Sequence, residues 1–159
     1  MIEREIEIVT PDGIMNAHAI HPEENGPFPV ILLYMDAPGI RPELMNLASR
    51  IATVGYFVLM PNLYYRTDRN VDFSMERMKD PAMLQVMLGK VRTLNMAMML
   101  ADTSAILAHL ATEPLARPGP LGAVGYCMSG RWGVGAAAAY ADRFGAVASG
   151  YGTGLYTEA

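Results

Sequence analysis

The run Gly122-Ala123-Val124-Gly125-Tyr126-Cys127-Met128-Ser129-Gly130 passes from an apolar strand pattern into small, helix-compatible residues, with one nucleophile-capable side chain at the junction. Leu121 to Tyr126 reads as a short buried strand, Ser129 to Tyr140 as a helix, and Ala146-Val147-Ala148 as the next strand. That order is the context a Gly-x-nucleophile-x-small turn requires. The chain reverses so sharply there that the residues two before and two after the nucleophile must be small. Gly125 and Ser129 satisfy this. Such a turn presents the sulfur at the carboxyl end of a sheet, beside the positive end of a helix macrodipole that favours a thiolate. It also aims the Met128 N–H at the position where a carbonyl oxygen would become negative. A lone cysteine is by default a small buried residue, but the glycine spacing and the strand-to-helix setting favour a working thiol. Because Cys127 is the only cysteine, an internal disulfide and a cysteine-based metal cluster are excluded.

Upstream, Ile2 to Val9 and Ile14 to Ile20 alternate apolar and polar residues around Thr10-Pro11-Asp12-Gly13, which predicts a β-hairpin with one wet face. Val30 to Met35 is continuously apolar, as a strand buried on both faces must be. Leu44, Leu47, Ala48 and Ile51 recur at helical spacing behind Pro42, Gly55 stops the pattern, and a second buried strand spans Tyr56 to Met60. Strand, helix and strand with short connections make one crossover unit of a doubly wound α/β sheet. From Pro61 to Lys90 the pattern loosens into a helical excursion carrying Met75, Met78, Met83 and Met87, for which core packing is the first expectation and an adaptable pocket the second. The helical period returns from Leu94 to Ala108, and three prolines between Thr112 and Pro120 end it.

With 159 residues, one domain is expected, 1–159. The net charge of −4, with lysines and arginines scattered, gives no basic stripe for a nucleic acid. Residues 1–10 alternate charge with apolar side chains where a secretory signal needs a continuous apolar core, so the protein reads as cytoplasmic. The most apolar window, Leu94 to Leu110, is interrupted by Asn95, Asp102, Thr103, Ser104 and His109, too polar for a span of roughly 20 residues through a membrane.

The turn Gly125-Tyr126-Cys127-Met128-Ser129-Gly130 resembles the Gly-Tyr-Cys-x-Gly-Gly turn of the dienelactone hydrolases. The likeness extends through the hairpin, Tyr34-Met35-Asp36 with Ala37-Pro38-Gly39-Ile40, Pro61-Asn62-Leu63-Tyr64, and Gly150-Tyr151-Gly152. It implies an α/β-hydrolase fold, a three-layer sandwich with a mostly parallel central sheet. The chemistry it implies is hydrolysis of a small-molecule ester or lactone through an acyl-thiol intermediate, with no cofactor or metal. In the roles it implies, Cys127 is the nucleophile, and Asp36 stands where the family has an acid, usually Glu, in contact with the resting thiol. Ala37 and Met128 supply the oxyanion-hole N–H groups. The family binds an anionic substrate with arginines, for which Arg66, Arg69, Arg77 and Arg131 are the candidates.

In this fold the acid and histidine of the triad follow the nucleophile. Here His18, His21 and His109 all precede Cys127, and the only later carboxylates are Asp142 and Glu158. Single domains of this sheet type commonly reach about 200–250 residues, so we expect the domain to be incomplete at its C-terminus, its last strands and its triad Asp and His lying beyond Ala159. An alternative expectation is a non-catalytic assembly or binding module that self-associates through an exposed sheet edge or its Met-rich surface. Ser129, a half-turn into the helix, is a poor substitute nucleophile.

Overall fold

The computed structural model describes residues 1–71, 73, 74 and 76–156; Met75 and Glu158, named above, lie outside the described residues. β1 (Ile2–Thr10) and β2 (Gly13–His21) form the predicted hairpin, closed by Pro11 and Asp12 with Thr10 paired to Gly13. Thr10 Oγ1 ties the turn by donating to the Gly13 carbonyl at 2.9 Å. β1 alternates as the sequence predicts, but β2 is buried along both faces from Met15 to His21 except at His18. The reason is lateral: β2 is an interior strand, antiparallel to β1 on one edge and to β4 (Phe57–Pro61) on the other. Its polar residues are covered by neighbours, Asn16 by Asn62, and His21 by the rings of Phe28 and Phe57 stacked against it.

β3 (Val30–Tyr34), α1 (Pro42–Ala52) and β4 form the predicted crossover, with β3 and β4 parallel and α1 starting on Pro42. Leu32, Leu33, Tyr34, Phe57, Leu59 and Met60 are fully buried here, each contributing roughly 1.5–3 kcal/mol of apolar burial. The stretch the pattern left loose holds a short 3-10 turn, Arg77–Lys79, and α2 (Pro81–Thr93), capped by the Asp80 side chain on Ala82 N–H. Of α2 only Met87 is buried, whereas Met15, Met35, Met60, Met99 and Met128 all lie in the core, so the methionines mostly pack the interior. Leu94 ends α2, and α3 (Met96–Leu110) begins two residues later than its period alone implies, because Asn95 caps it by accepting the Met98 N–H at 3.0 Å. β5 (Leu121–Tyr126), a 3-10 turn at Cys127–Ser129, α4 (Gly130–Ala139) and β6 (Phe144–Gly150) complete the order.

The sheet runs β1-β2-β4-β3-β5-β6, with β4, β3, β5 and β6 parallel. From β3 the chain moves toward β4, and from β5 it moves the opposite way, toward β6. Right-handed crossovers leading in opposite directions leave their helices on opposite faces. α1 packs on β2 and β4, while α3 and α4 pack on each other, with α4 against β5 and β6. Adjacent parallel strands whose connections diverge open a crevice at their carboxyl ends; here that switch point lies between β3 and β5. Among the described residues, no helix is long and apolar enough to cross a membrane.

Candidate active site

The two loops leaving the switch point meet at the sheet's carboxyl edge. Tyr34 pairs with Gly125 in register, so Asp36 and Cys127 each stand two residues beyond the same rung of the ladder. Cys127 takes φ +53, a left-handed conformation rare for a side-chain-bearing residue, and is half-buried. The cramped reversal is visible at Gly125, where a β-carbon would lie 2.2 Å from the Ser129 carbonyl oxygen. Ser129 is fully buried and its hydroxyl donates to the Met35 carbonyl, stapling the turn to the end of β3. That occupation removes Ser129 from contention as a nucleophile.

Two peptide planes are fixed from behind. The Cys127 carbonyl accepts from Gly130 N–H and, at 2.9 Å, from Thr153 N–H. The Asp36 carbonyl accepts from Gly39 N–H at 3.0 Å in a turn that relies on Gly39 at φ +83. In a trans peptide the N–H points opposite to the carbonyl of the same plane, so the Met128 and Ala37 N–H groups face away from these bonds. Among the described residues, the Ala37 N–H donates to no other backbone group. Tyr64, 2% exposed, donates its hydroxyl to the Ala37 carbonyl at 2.8 Å and braces the same loop from below. Burial, followed by the negative charge of Asp36 and Cys127 nearby, raises the Tyr64 phenol well above its ordinary value, so it remains a donor.

The Asp36 carboxylate faces Arg41. Both oxygens accept from that guanidinium, Oδ1 from NH1 and Oδ2 from NH2 at 2.9 Å, and the pairing, set against partial burial, raises the Arg41 pKa. The contact that the family resemblance implies between Asp36 and the thiol therefore has a competitor five residues along the same loop. Reading the sequence missed it; Asp-x-Pro-Gly-x-Arg, with a turn in the middle, was the available signal.

The arginine candidates separate. Arg66 is bidentate to the 1%-exposed Asp102 at 2.8 and 2.9 Å and also binds Asp12 at the hairpin tip. Arg69 pairs with Glu7 at 2.7 Å. Arg77 lies exposed in the 3-10 turn. Arg131, one residue into α4, stacks on the Trp132 ring at 4.0 Å from its centroid. Thus Arg66 and Arg69 are committed to tying the hairpin to the body of the domain, and only Arg131 sits close in sequence to the turn. None of the three histidines reaches Cys127. His21 lies at the amino edge of the sheet and His109 near the end of α3 that leads back to that edge. His18 is on β2, three strand spacings from β5, roughly 14 Å away at about 4.8 Å per strand.

A mixed sheet with helices on both faces and a strained strand-to-helix turn at the switch point defines an α/β-hydrolase. The chain matches the Dienelactone hydrolase family over residues 15–159, and it belongs to that family. A provisionally named carboxymethylenebutenolidase of Methylorubrum extorquens is 30% identical over 132 residues, covering 82% of this chain and 43% of that protein. The carboxymethylenebutenolidase of Pseudomonas sp. (strain P51) is 27% identical over 118 residues, 74% of this chain and 48% of the other. Among solved structures, a provisionally named dienelactone hydrolase of Klebsiella pneumoniae superposes with a TM-score of 0.80 at 24% identity, covering 99% of this chain and 62% of that one. The chain thus spans less than half the length of these curated relatives.

Proposed function

We propose that the protein hydrolyses carboxylic esters or lactones through Cys127, with Ala37 and Met128 holding the oxyanion. The observation that carries this is the turn itself: a half-buried cysteine at φ +53, ahead of a helix N-terminus and two residues beyond the rung it shares with the Asp36–Ala37 loop. The thiolate attacks the carbonyl carbon, the S–C bond forms as the carbonyl oxygen gains charge, and the alkoxide leaves as the C–O bond breaks. Hydrolysis of the thioester then needs a base to activate water, and this sequence has no histidine after Cys127. Asp36 is the acid nearest in register; the resemblance gives it a contact with the resting thiol that helps set its protonation, and Arg41 competes for that carboxylate. The names of the relatives support a small-molecule substrate, and a lone working thiol suits a reducing, cytoplasmic setting. The net charge of −4 argues against nucleic acid. A thiolate and two amides suffice for the acylation step, which calls on no cofactor or metal.

The test is acylation of the 159-residue chain by an activated aryl ester, followed by intact mass. The expected result is one equivalent of acyl group on Cys127, absent in Cys127→Ala, with turnover several orders of magnitude below that of a complete triad. An unmodified Cys127 would refute the nucleophile assignment.

A second reading is favoured by one observation. Among the described residues β6 is hydrogen-bonded on one edge only, and Gly145, Ala146, Ala148 and Ser149 along it are exposed. An open edge of this kind supports self-association by strand pairing, and size-exclusion chromatography over a concentration series detects it.

A further inference from the structure

Beside the nucleophile turn lies a cavity of about 230 Å³, lined by Asp36, Arg41, Glu43, Leu44, Leu47, Tyr126 and Tyr151. It is smaller than most ligand pockets, which run from about 300 Å³, and so suits one small substituent. Its walls are apolar on two sides: Leu44 and Leu47 from α1, and the Tyr126 and Tyr151 rings, whose centroids are 5.6 Å apart. Tyr126 directly precedes Cys127 and Asp36 stands at the matching rung, so a group held here would adjoin a carbonyl at the sulfur.

The charge of this cavity is the informative feature. Arg41 is the one cation lining it among the described residues, and its guanidinium makes three hydrogen bonds. NH1 and NH2 hold the two Asp36 oxygens, NH1 also donates to the Gly39 carbonyl at 3.0 Å, and Nε lies 3.4 Å from the Glu43 carboxylate. Two carboxylates against one guanidinium leave a formal net charge of −1, and Asp36 already occupies the bidentate edge that an incoming carboxylate would use. The amino end of α1, which would by itself favour an anion, already carries Glu43 in its first turn. Of the arginines that the family resemblance offered for an anionic substrate, none lines this cavity.

Resting on the assignment of Cys127 as nucleophile, we propose that this cavity makes the site select uncharged esters or lactones over anionic ones. The selection is electrostatic, from an internally neutralised arginine and a surplus carboxylate, and the apolar walls receive a small aliphatic or aromatic group.

Iodoacetamide and iodoacetate test this on the existing chain, because they share one reaction and differ in charge: the thiolate forms an S–C bond, the C–I bond breaks and iodide leaves. The measured quantity is the ratio of their rate constants at Cys127, divided by the same ratio on N-acetylcysteinamide. At low ionic strength the expected value is about threefold to tenfold in favour of the amide, from like charges several ångströms apart in a partly screened site. It should shrink in salt, fall toward unity in Glu43→Gln and invert in Glu43→Lys, a change at an exposed position of α1. Rapid reaction with both reagents, with a ratio near unity that Glu43→Lys leaves unmoved, would overturn the charge preference while sparing the nucleophile. Slow reaction with both would overturn the nucleophile and the preference with it.

Discussion

Gly125 and Gly89 show how differently two glycines are constrained. A β-carbon on Gly125 would lie 2.2 Å from the Ser129 oxygen and 2.7 Å from its carbonyl carbon, both backbone atoms of the turn. Neither can yield without undoing the reversal. Gly125→Ala should therefore cost about 3 kcal/mol or more, at the severe end for single substitutions, read from urea unfolding. Gly89, in the middle of α2, has nothing within 4 Å of its absent β-carbon. Gly89→Ala should stabilise by about 0.5–1 kcal/mol through helix propensity and reduced freedom of the unfolded chain. The demand for a small residue at Gly125 was legible from spacing alone, because it arises within six residues of chain. The capture of Asp36 by Arg41 was not, since it depends on the loop folding back at Gly39.

At the scale of elements, the hairpin, the loop after β4 and α3 are joined by buried hydroxyls and charges. Tyr65 donates to Asp102 at 2.9 Å and lies 2.7 Å from the Thr10 hydroxyl, and Tyr34 pairs with Thr103 at 2.9 Å. Burial is the largest cause raising the Tyr34 phenol, far above its ordinary value, and burial followed by the hydrogen bond to Asp102 pushes Tyr65 up to about 12. Tyr64 is raised in the same direction. In the unfolded chain these phenols ionise near their ordinary value of 10.0. Their contribution to stability is complete below that pH and is lost as pH rises toward the folded values, because the unfolded state then binds fewer protons than the folded one. Between pH 10 and 12, Tyr34 and Tyr64 should each remove about 1.4 kcal/mol of stability per pH unit, with Tyr65 adding in the same sense. Urea midpoints measured across that window should fall steadily, and a flat profile would contradict the burial of these hydroxyls. The strands and α1 were legible in apolar periodicity and Pro42. The covering of β2 was not, because it is imposed by β4, some forty residues downstream.

Across the described residues, the sheet order places the candidate active-site loops between β3 and β5 and leaves β6 hydrogen-bonded on one edge. A lysine on an exposed edge position discourages strand pairing between chains. Ala148 is exposed on β6, so Ala148→Lys should shift a concentration-dependent oligomer toward monomer in size-exclusion chromatography. An unchanged elution profile would place any association elsewhere.

What the amino-acid sequence determined by itself was local: the strand and helix periods, the hairpin turn, and a nucleophile-capable residue set between small neighbours at a strand-to-helix junction. These follow from sterics and burial within a few residues of chain. What only the tertiary structure decided was partnership across the chain: Arg66 with Asp102, Tyr64 with the Ala37 carbonyl, Ser129 with Met35, and the cavity beside Cys127. A charged or hydroxylated side chain advertises that it needs a partner, but strand order and packing select which one, and so convert an arginine that resembled a substrate ligand into a strut.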